Sequence, residues 1–272
     1  MQIDPELAAL LSLLDDDDES TCLSVMSALL ERHLDIMPFL SELQESGDPQ
    51  IRKKVHQLQS ILIQRDKRFS LLERIDDPDM DFFATMSDMH QLWYDSSPVT
   101  DLEGVIGEFI NDFCKHNIST LQQAAEYMFQ NNFKVAAPSS LEPDSCCIGS
   151  VIYWKKGCSA VLCGVLKSLL PEDGNFTIIK IKNSFAISDG TNVLLPEEWW
   201  DIRPAEEFDS CEEWSIQQLS RYLLMLLFDN AVNSNSYRYI YTIGQAVSGK
   251  SDSSFLDDLP YPFSAADKDL NN

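Results

Sequence analysis

Lys155-Lys156-Gly157-Cys158-Ser159-Ala160-Val161-Leu162-Cys163 leads into an apolar run that continues to Leu170. How this stretch is read decides the fold. A glycine, then a cysteine at the start of a buried helix, is one way to hold a nucleophile. The helix N-terminus favours the thiolate, and a histidine takes the proton. Lys155 and Lys156 would add to that effect on Cys158. The four histidines, however, are His33, His56, His90 and His116, and all of them precede the cysteine. A base would have to come from His90 or His116, on the helical segments upstream. Without one, Cys158 reads as a small buried residue at a helix–helix contact, as free cysteines often are.

Downstream, Pro171-Glu172-Asp173-Gly174-Asn175 is a turn. Phe176 to Lys182 alternates around Ile178, Ile179 and Ile181, as a strand does. Asn183 to Ser188 reads as a second strand, Asp189-Gly190-Thr191-Asn192 as a hairpin turn, and Val193 to Leu195 as a third strand. A small antiparallel sheet is therefore expected against the helices. Ser215 to Asn230 and Tyr237 to Val247 read as a final helix pair. From Ser248 the chain is rich in Ser and Asp, with Pro260 and Pro262, and reads as a mobile tail.

Upstream, Phe69 to Gln130 reads as helical. Asp76-Asp77-Pro78-Asp79-Met80-Asp81 forms a break before a helix whose apolar face carries Phe82, Phe83, Met86, Met89, Leu92 and Trp93. Val99-Thr100-Asp101 opens a helix through Cys114, and Ser119-Thr120 caps another. The first sixty-odd residues carry a weak repeat displaced by 29 residues. It places Leu14 on Leu43, Cys22 on Ile51, Met26 on Val55 and Leu29 on Leu58. Each unit reads as two helices around an acidic or Gly-Asp-Pro break, similar to HEAT-type repeats. The acidic run Asp15 to Glu19 reads as a solvated helix junction.

The chain has 272 residues, 44% of them hydrophobic, enough to bury a core and to exclude disorder throughout. Its net charge of −24 opposes nucleic-acid binding and docking on anionic membranes. That charge reads first as solubility and second as a surface for basic partners. Seven cysteines form no disulfide-like framework. The N-terminal Met-Gln-Ile-Asp-Pro-Glu does not read as a secretory signal, and no run approaches the about 18 apolar residues of a membrane helix. A cytoplasmic protein with reduced thiols is expected, with signal-independent export left open.

These elements in this order resemble the SirB-type branch of the transglutaminase-like superfamily. The resemblance runs from about Ser70 to Val247. It rests on the Asp76 to Asp81 element, the Leu121 to Phe133 helix with its Asn-Asn-Phe, Ile152-Tyr153-Trp154-Lys155-Lys156-Gly157, the Ile178 to Ile187 strands and the final helices. It implies an α+β, predominantly helical fold. A HEAT-like segment would span 1–66, the transglutaminase-like domain 67–212, a helix pair 213–247 and the tail 248–272. Active members place their cysteine two residues after the glycine. Here that position is Ser159, and Cys158 stands one residue early. One helical step turns a side chain by about 100 degrees, so Cys158 is expected to point away from the cleft. Asn183 and Ser184 stand where the family's histidine would be, and Asp189 or Asn192 matches the third member. SirB-type proteins themselves usually lack the cysteine.

Two further groups bear on function. Cys146-Cys147 is adjacent, and Cys158 and Cys163 are five apart, spacings that do not suit zinc, so neither metal nor cofactor is expected. The four histidines read as surface or boundary residues. Trp199, Trp200, Phe208, Trp214 and Tyr222 follow the sheet, and read as core at its junction with the helices or as a partner-binding patch. The sequence thus points to a non-catalytic bacterial interaction or scaffold protein with a protein partner. A cysteine hydrolase or acyltransferase on Cys158, and small-ligand binding in a remnant cleft beside Ser159 and Asn183, are the alternatives.

Overall fold

Asp81, Asp101, Thr120 and Ser215 each close a polar loop and turn a side-chain oxygen onto an amide three residues on, which starts a helix there. At Ser215 the cap is reciprocal, because the Gln218 side chain accepts the Ser215 N–H. The computed structural model describes residues 5–14, 18–31, 36, 39–41, 43–94, 101–137, 142–208 and 210–248. The expectations for residues 15–17 of the acidic run, for His33, for Val99 and Thr100, and for the tail from residue 249 fall outside these residues.

The chain divides into two units, Met1–Lys67 and Arg68–Asn272. The helices in order are α1 (Pro5–Ser12), α2 (Glu19–Glu31), α3 (Pro49–Asp76), α4 (Phe82–Trp93), α5 (Leu102–Lys115), α6 (Leu121–Gln130), α7 (Ile148–Trp154), α8 (Ser159–Leu169), α9 (Ile216–Asn233) and α10 (Tyr237–Ser248). In the first unit, Met26 and Leu29 are buried, and so are Val55 and Leu58, 29 residues further on. In the other two pairs Leu14 and Cys22 are buried, whereas Leu43 and Ile51 are half-buried.

In the second unit α8 is the centre. Its residues Ser159 through Leu166 are all buried. Helices α4, α5 and α9 pack on it, as do two strands, β3 (Thr177–Ile181) and β4 (Ser184–Ser188). The sheet continues through β5 (Asn192–Leu195), β6 (Asp201–Pro204) and β7 (Glu212–Trp214), in the antiparallel order β6-β5-β4-β3-β7. Strand alternation sends Ile178, Phe185, Ile187 and Leu194 to the helical core. Ile179, Ala186, Val193 and Leu195 point the other way, where Ile181, Ala205 and Phe208 cover them. Gly190 takes the left-handed position of the β4–β5 turn, at φ +84. The last two helices, set apart in the sequence reading, belong to this unit. Gln217 Nε2 donates to the Asp77 and Pro78 carbonyls at 3.3 and 3.1 Å, and Arg221 pairs with Asp76.

Two sequence expectations are corrected. The sheet has five strands rather than three, because β6 and β7 are short, mostly exposed edge strands rich in charge. Such strands need no apolar alternation. The turn before α8 is made at Lys155, not at the glycine. Lys155 adopts φ +53 as the C-cap of α7. Lys156–Gly157 then forms a parallel pair with Lys134–Val135, through Lys134↔Lys156 and Val135↔Gly157. Two-residue strands leave no periodic signal.

A lysine in left-handed backbone carries about 1 kcal/mol of strain. Lys155→Gly should raise the unfolding free energy by about 0.5–1 kcal/mol, and Lys156→Gly, in extended backbone, should lower it by a similar amount. Urea unfolding of the two variants against the parent reads both signs.

Candidate functional site

Cys158 precedes the first turn of α8, and its N–H donates to the Ser145 carbonyl at 2.8 Å. That bond sets the chain at Cys158 beside the chain at Cys146. The Cys146 thiol donates to the Cys158 sulfur and holds the Cys158 thiol below the usual range, against the opposing effect of burial. The backbone amides of Val161, Ala160 and Cys158 add to the lowering. Cys146 is pushed well up, by the same hydrogen bond first and burial second. Cys147 and Cys163 are pushed up by burial. The stabilising partner is thus a second cysteine, where the sequence reading had assigned Lys155 and Lys156.

Cys158 and Ser159 stand side by side at the start of α8. Both line one cavity of about 40 Å³, with Ala136, Asn183, Glu197 and Tyr222 among its walls. Cys158 sits at the cap rather than within the helix, so the 100-degree step of helical geometry does not separate the two.

Ser159 Oγ accepts the Phe185 N–H of β4 at 3.2 Å and donates to Glu197 Oε1 at 3.3 Å. Ser184 Oγ donates to the other carboxylate oxygen of Glu197. One carboxylate therefore ties the start of α8 to the start of β4. Asn183 lies in the β3–β4 turn and lines the cavity. Asp189 lies past the far end of β4, about 16 Å of strand away from Ser184. Its carboxylate accepts the Thr191 and Asn192 amides at 2.9 and 2.7 Å and shapes the hairpin turn. Asn192 begins β5 at the same end.

His90 is not a surface residue. It is fully buried on α4, and its Cε1 lies 2.8 Å from where a Cβ on Gly149 of α7 would stand. Only glycine permits that approach. Burial pushes its pKa down to about 4, with Asp144 pulling the other way. His90 is therefore a neutral core residue near neutral pH. His116 is exposed at the C-cap of α5, with Nδ1 2.8 Å from the Asp112 carbonyl oxygen. His56 is exposed on α3.

The five aromatics after the sheet do not form one patch. Trp200 is buried, and its Nε1 donates to the Phe133 carbonyl at 2.8 Å. Trp214 and Tyr222 meet edge to face and pack on Phe185 at the helical face of the sheet, with Lys180 Nζ 4.7 Å from the Trp214 ring centre. Phe208 covers the opposite face. Trp199 alone is largely exposed, at 70%.

The sequence reading missed what Trp199 neighbours. The turn Pro196–Glu198 packs on Lys134–Val135. Next to that strand stand Lys155 and Lys156, and next to them Tyr153 and Trp154, 62% and 67% exposed, with their rings edge to face at 4.8 Å. It also missed Glu197, which joins Ser159 and Ser184. A signal was available: residues 145–171 contain no Asp or Glu, in a chain of net charge −24.

A solvent-open groove of about 690 Å³ adjoins the small cavity, sharing Asn183, Phe185 and Glu197 with it. Lys182, Glu198, Arg203 and Glu207 ring the groove. Among the described residues no three His, Cys, Asp or Glu side chains converge as metal ligands. No described helix is long and apolar enough to cross a membrane. No protein-family model, curated protein or solved structure matches this chain.

Ser159→Ala leaves the buried Phe185 amide without its acceptor and should destabilise the protein by about 1–3 kcal/mol, measured by denaturant unfolding. His90 has a second consequence. The unfolded imidazole takes a proton near 6.5 and the folded one only near 4, so stability is full above 6.5 and falls as the pH drops toward 4. The loss reaches about 3 kcal/mol by that linkage. Unfolding curves at pH 7.5 and 4.5 should show it, and His90→Gln should flatten it.

Proposed function

We propose that this is a non-catalytic interaction protein, built on a degenerate transglutaminase-like domain of the SirB type, which binds an acidic segment of a partner protein. The domain assignment is supported by a buried helix that starts at Cys158 and packs on antiparallel strands, in the order that the resemblance implies. The absence of catalysis is supported by how the reactive positions are used. The Ser159 hydroxyl is taken up by the Phe185 amide and Glu197, and Asp189 by a turn. No histidine is among the groups that set the Cys158 thiol, and burial pushes His90 down to about 4. The cavity at Cys158, about 40 Å³, holds a few water-sized molecules and leaves no room for an acyl group or a metabolite. Pockets for such ligands run to roughly 300–1,000 Å³, a size that the adjoining open groove reaches and the cavity at Cys158 does not.

The observation that carries the binding reading is Trp199. It is 70% exposed, and it and Trp200 stand consecutively in left-handed backbone, at φ +60 and +66. A bulky residue there is strained, and strain of this kind collects at functional surfaces. Trp200 is anchored in the core, and Trp199 gains no burial in return. The Pro196–Glu198 turn that precedes it packs on Lys134–Val135, whose paired strand carries Lys156 and follows exposed Tyr153, Trp154 and Lys155. Exposed aromatics of this kind anchor interfaces. Local positive charge on an acidic protein selects an acidic partner.

The test is titration of the full chain with two synthetic peptides of equal length, one rich in Asp and Glu, the other in Lys, both carrying Leu and Phe. Tryptophan fluorescence is the readout. The acidic peptide should bind, more weakly as salt rises. Trp199→Ala and Lys155→Glu/Lys156→Glu should each weaken binding at least tenfold with the circular dichroism unchanged. Equal binding of the two peptides, or no effect of either variant, overturns the reading.

A further inference from the structure

Four buried thiols of the second unit are left unused by the interaction surface. They are Cys146, Cys147, Cys158 and Cys163. Cys158 alone among them lines the cavity of about 40 Å³. That cavity adjoins the open groove through Asn183, Phe185 and Glu197, which gives a small molecule a route inward. A protein chain cannot follow it. The Cys158 N–H to Ser145 carbonyl bond of 2.8 Å keeps the Cys146 and Cys158 backbones side by side, with both side chains buried.

We infer that Cys158 is a hydroperoxide-reactive cysteine and that Cys146 resolves it, so that hydrogen peroxide or a small alkyl hydroperoxide turns the pair into a Cys146–Cys158 disulfide. The Cys158 sulfur attacks one peroxide oxygen and the O–O bond breaks. The sulfur becomes a sulfenic acid, and the other oxygen leaves as hydroxide or alkoxide. That anion takes the proton from Cys146. The Cys146 sulfur then attacks the Cys158 sulfenic sulfur, an S–S bond forms, and the hydroxyl leaves as water with the proton that Cys158 gave up. Two thiols lose two electrons, and one peroxide gains them and yields one water and one water or alcohol.

The division of roles follows from the surroundings. Cys158 has helix amides and a thiol donor facing it, so it is the sulfur that ionises, and Cys146 keeps its proton until the leaving group needs it. Cys147 and Cys163 are held protonated by burial. Exposed Cys114 and Cys211 serve as internal references for an ordinary thiol.

The experiment treats the reduced full-length protein with one equivalent of hydrogen peroxide at pH 7, followed by non-reducing peptide mapping. The expected product is a linked peptide pair containing Cys146 and Cys158, 2 Da lighter than the two thiol peptides, formed at least tenfold faster than oxidation of Cys114 or Cys211. In Cys146→Ser the Cys158 peptide should instead gain 16 Da and react with dimedone after denaturation. Iodoacetamide, too large for the cavity, should label Cys158 at least tenfold more slowly than Cys211. Cys158 remaining a thiol while Cys211 oxidises overturns the inference, and so does a disulfide through Cys147. Labelling of Cys158 by iodoacetamide as fast as that of Cys211 removes the size selection and overturns the assignment to hydroperoxide.

Discussion

The second unit depends on burying α8 on every side. From Ser159 to Leu166 every residue of that helix is buried. Each Val or Leu in it contributes roughly 1.5–3 kcal/mol through burial, which makes the helix the main source of cohesion in the unit. The same burial creates a difficulty at its N-terminus, where the first-turn amides have no partners within the helix. No side-chain oxygen caps it. Ser159 instead faces the Phe185 amide, and the first-turn amides look toward a sulfur. The unusual thiol at Cys158 is thus a product of how the core was closed, and it needs no inherited catalytic machinery to account for it.

The sheet and the surface around Trp199 follow from that centre. Strands β3 and β4 lie on α8 because Ile178, Phe185 and Ile187 share one face. Glu197, just past β5, then reaches back to Ser159 and Ser184. With that turn fixed, Trp200 enters the core beside Phe133, and its left-handed neighbour Trp199 is left outside.

Much of the helical framework was legible because capping and periodicity are local. Asp81, Asp101, Thr120 and Ser215 announce their helices within a few residues. The three central strands were legible from alternation around Ile178 and Val193. The edge strands β6 and β7 and the two-residue pair of Lys134 with Lys156 were not, since their stability comes from partners distant in sequence. The site was legible as a place but not as a geometry. Cys158, Ser159, Asn183 and Ser184 do gather at the α8–β4 junction, whereas Asp189 does not. Nothing local predicted that Cys146 would meet Cys158, or that Glu197 would join two serines. The aromatic cluster failed as a unit because side-chain facing on β7, the 3-10 turns and α9 is set by the fold.

The bonds from Gln217 to Asp77 and Pro78, and the pairing of Arg221 with Asp76, join positions separated by about 140 residues. They clamp the last long helix to the loop that opens the unit. A chain leaving the ribosome therefore exposes the faces of α4 and α8 that α9 will cover until α9 itself has emerged. The second unit cannot close progressively from its N-terminus, and must wait for its final helices before its core is sealed.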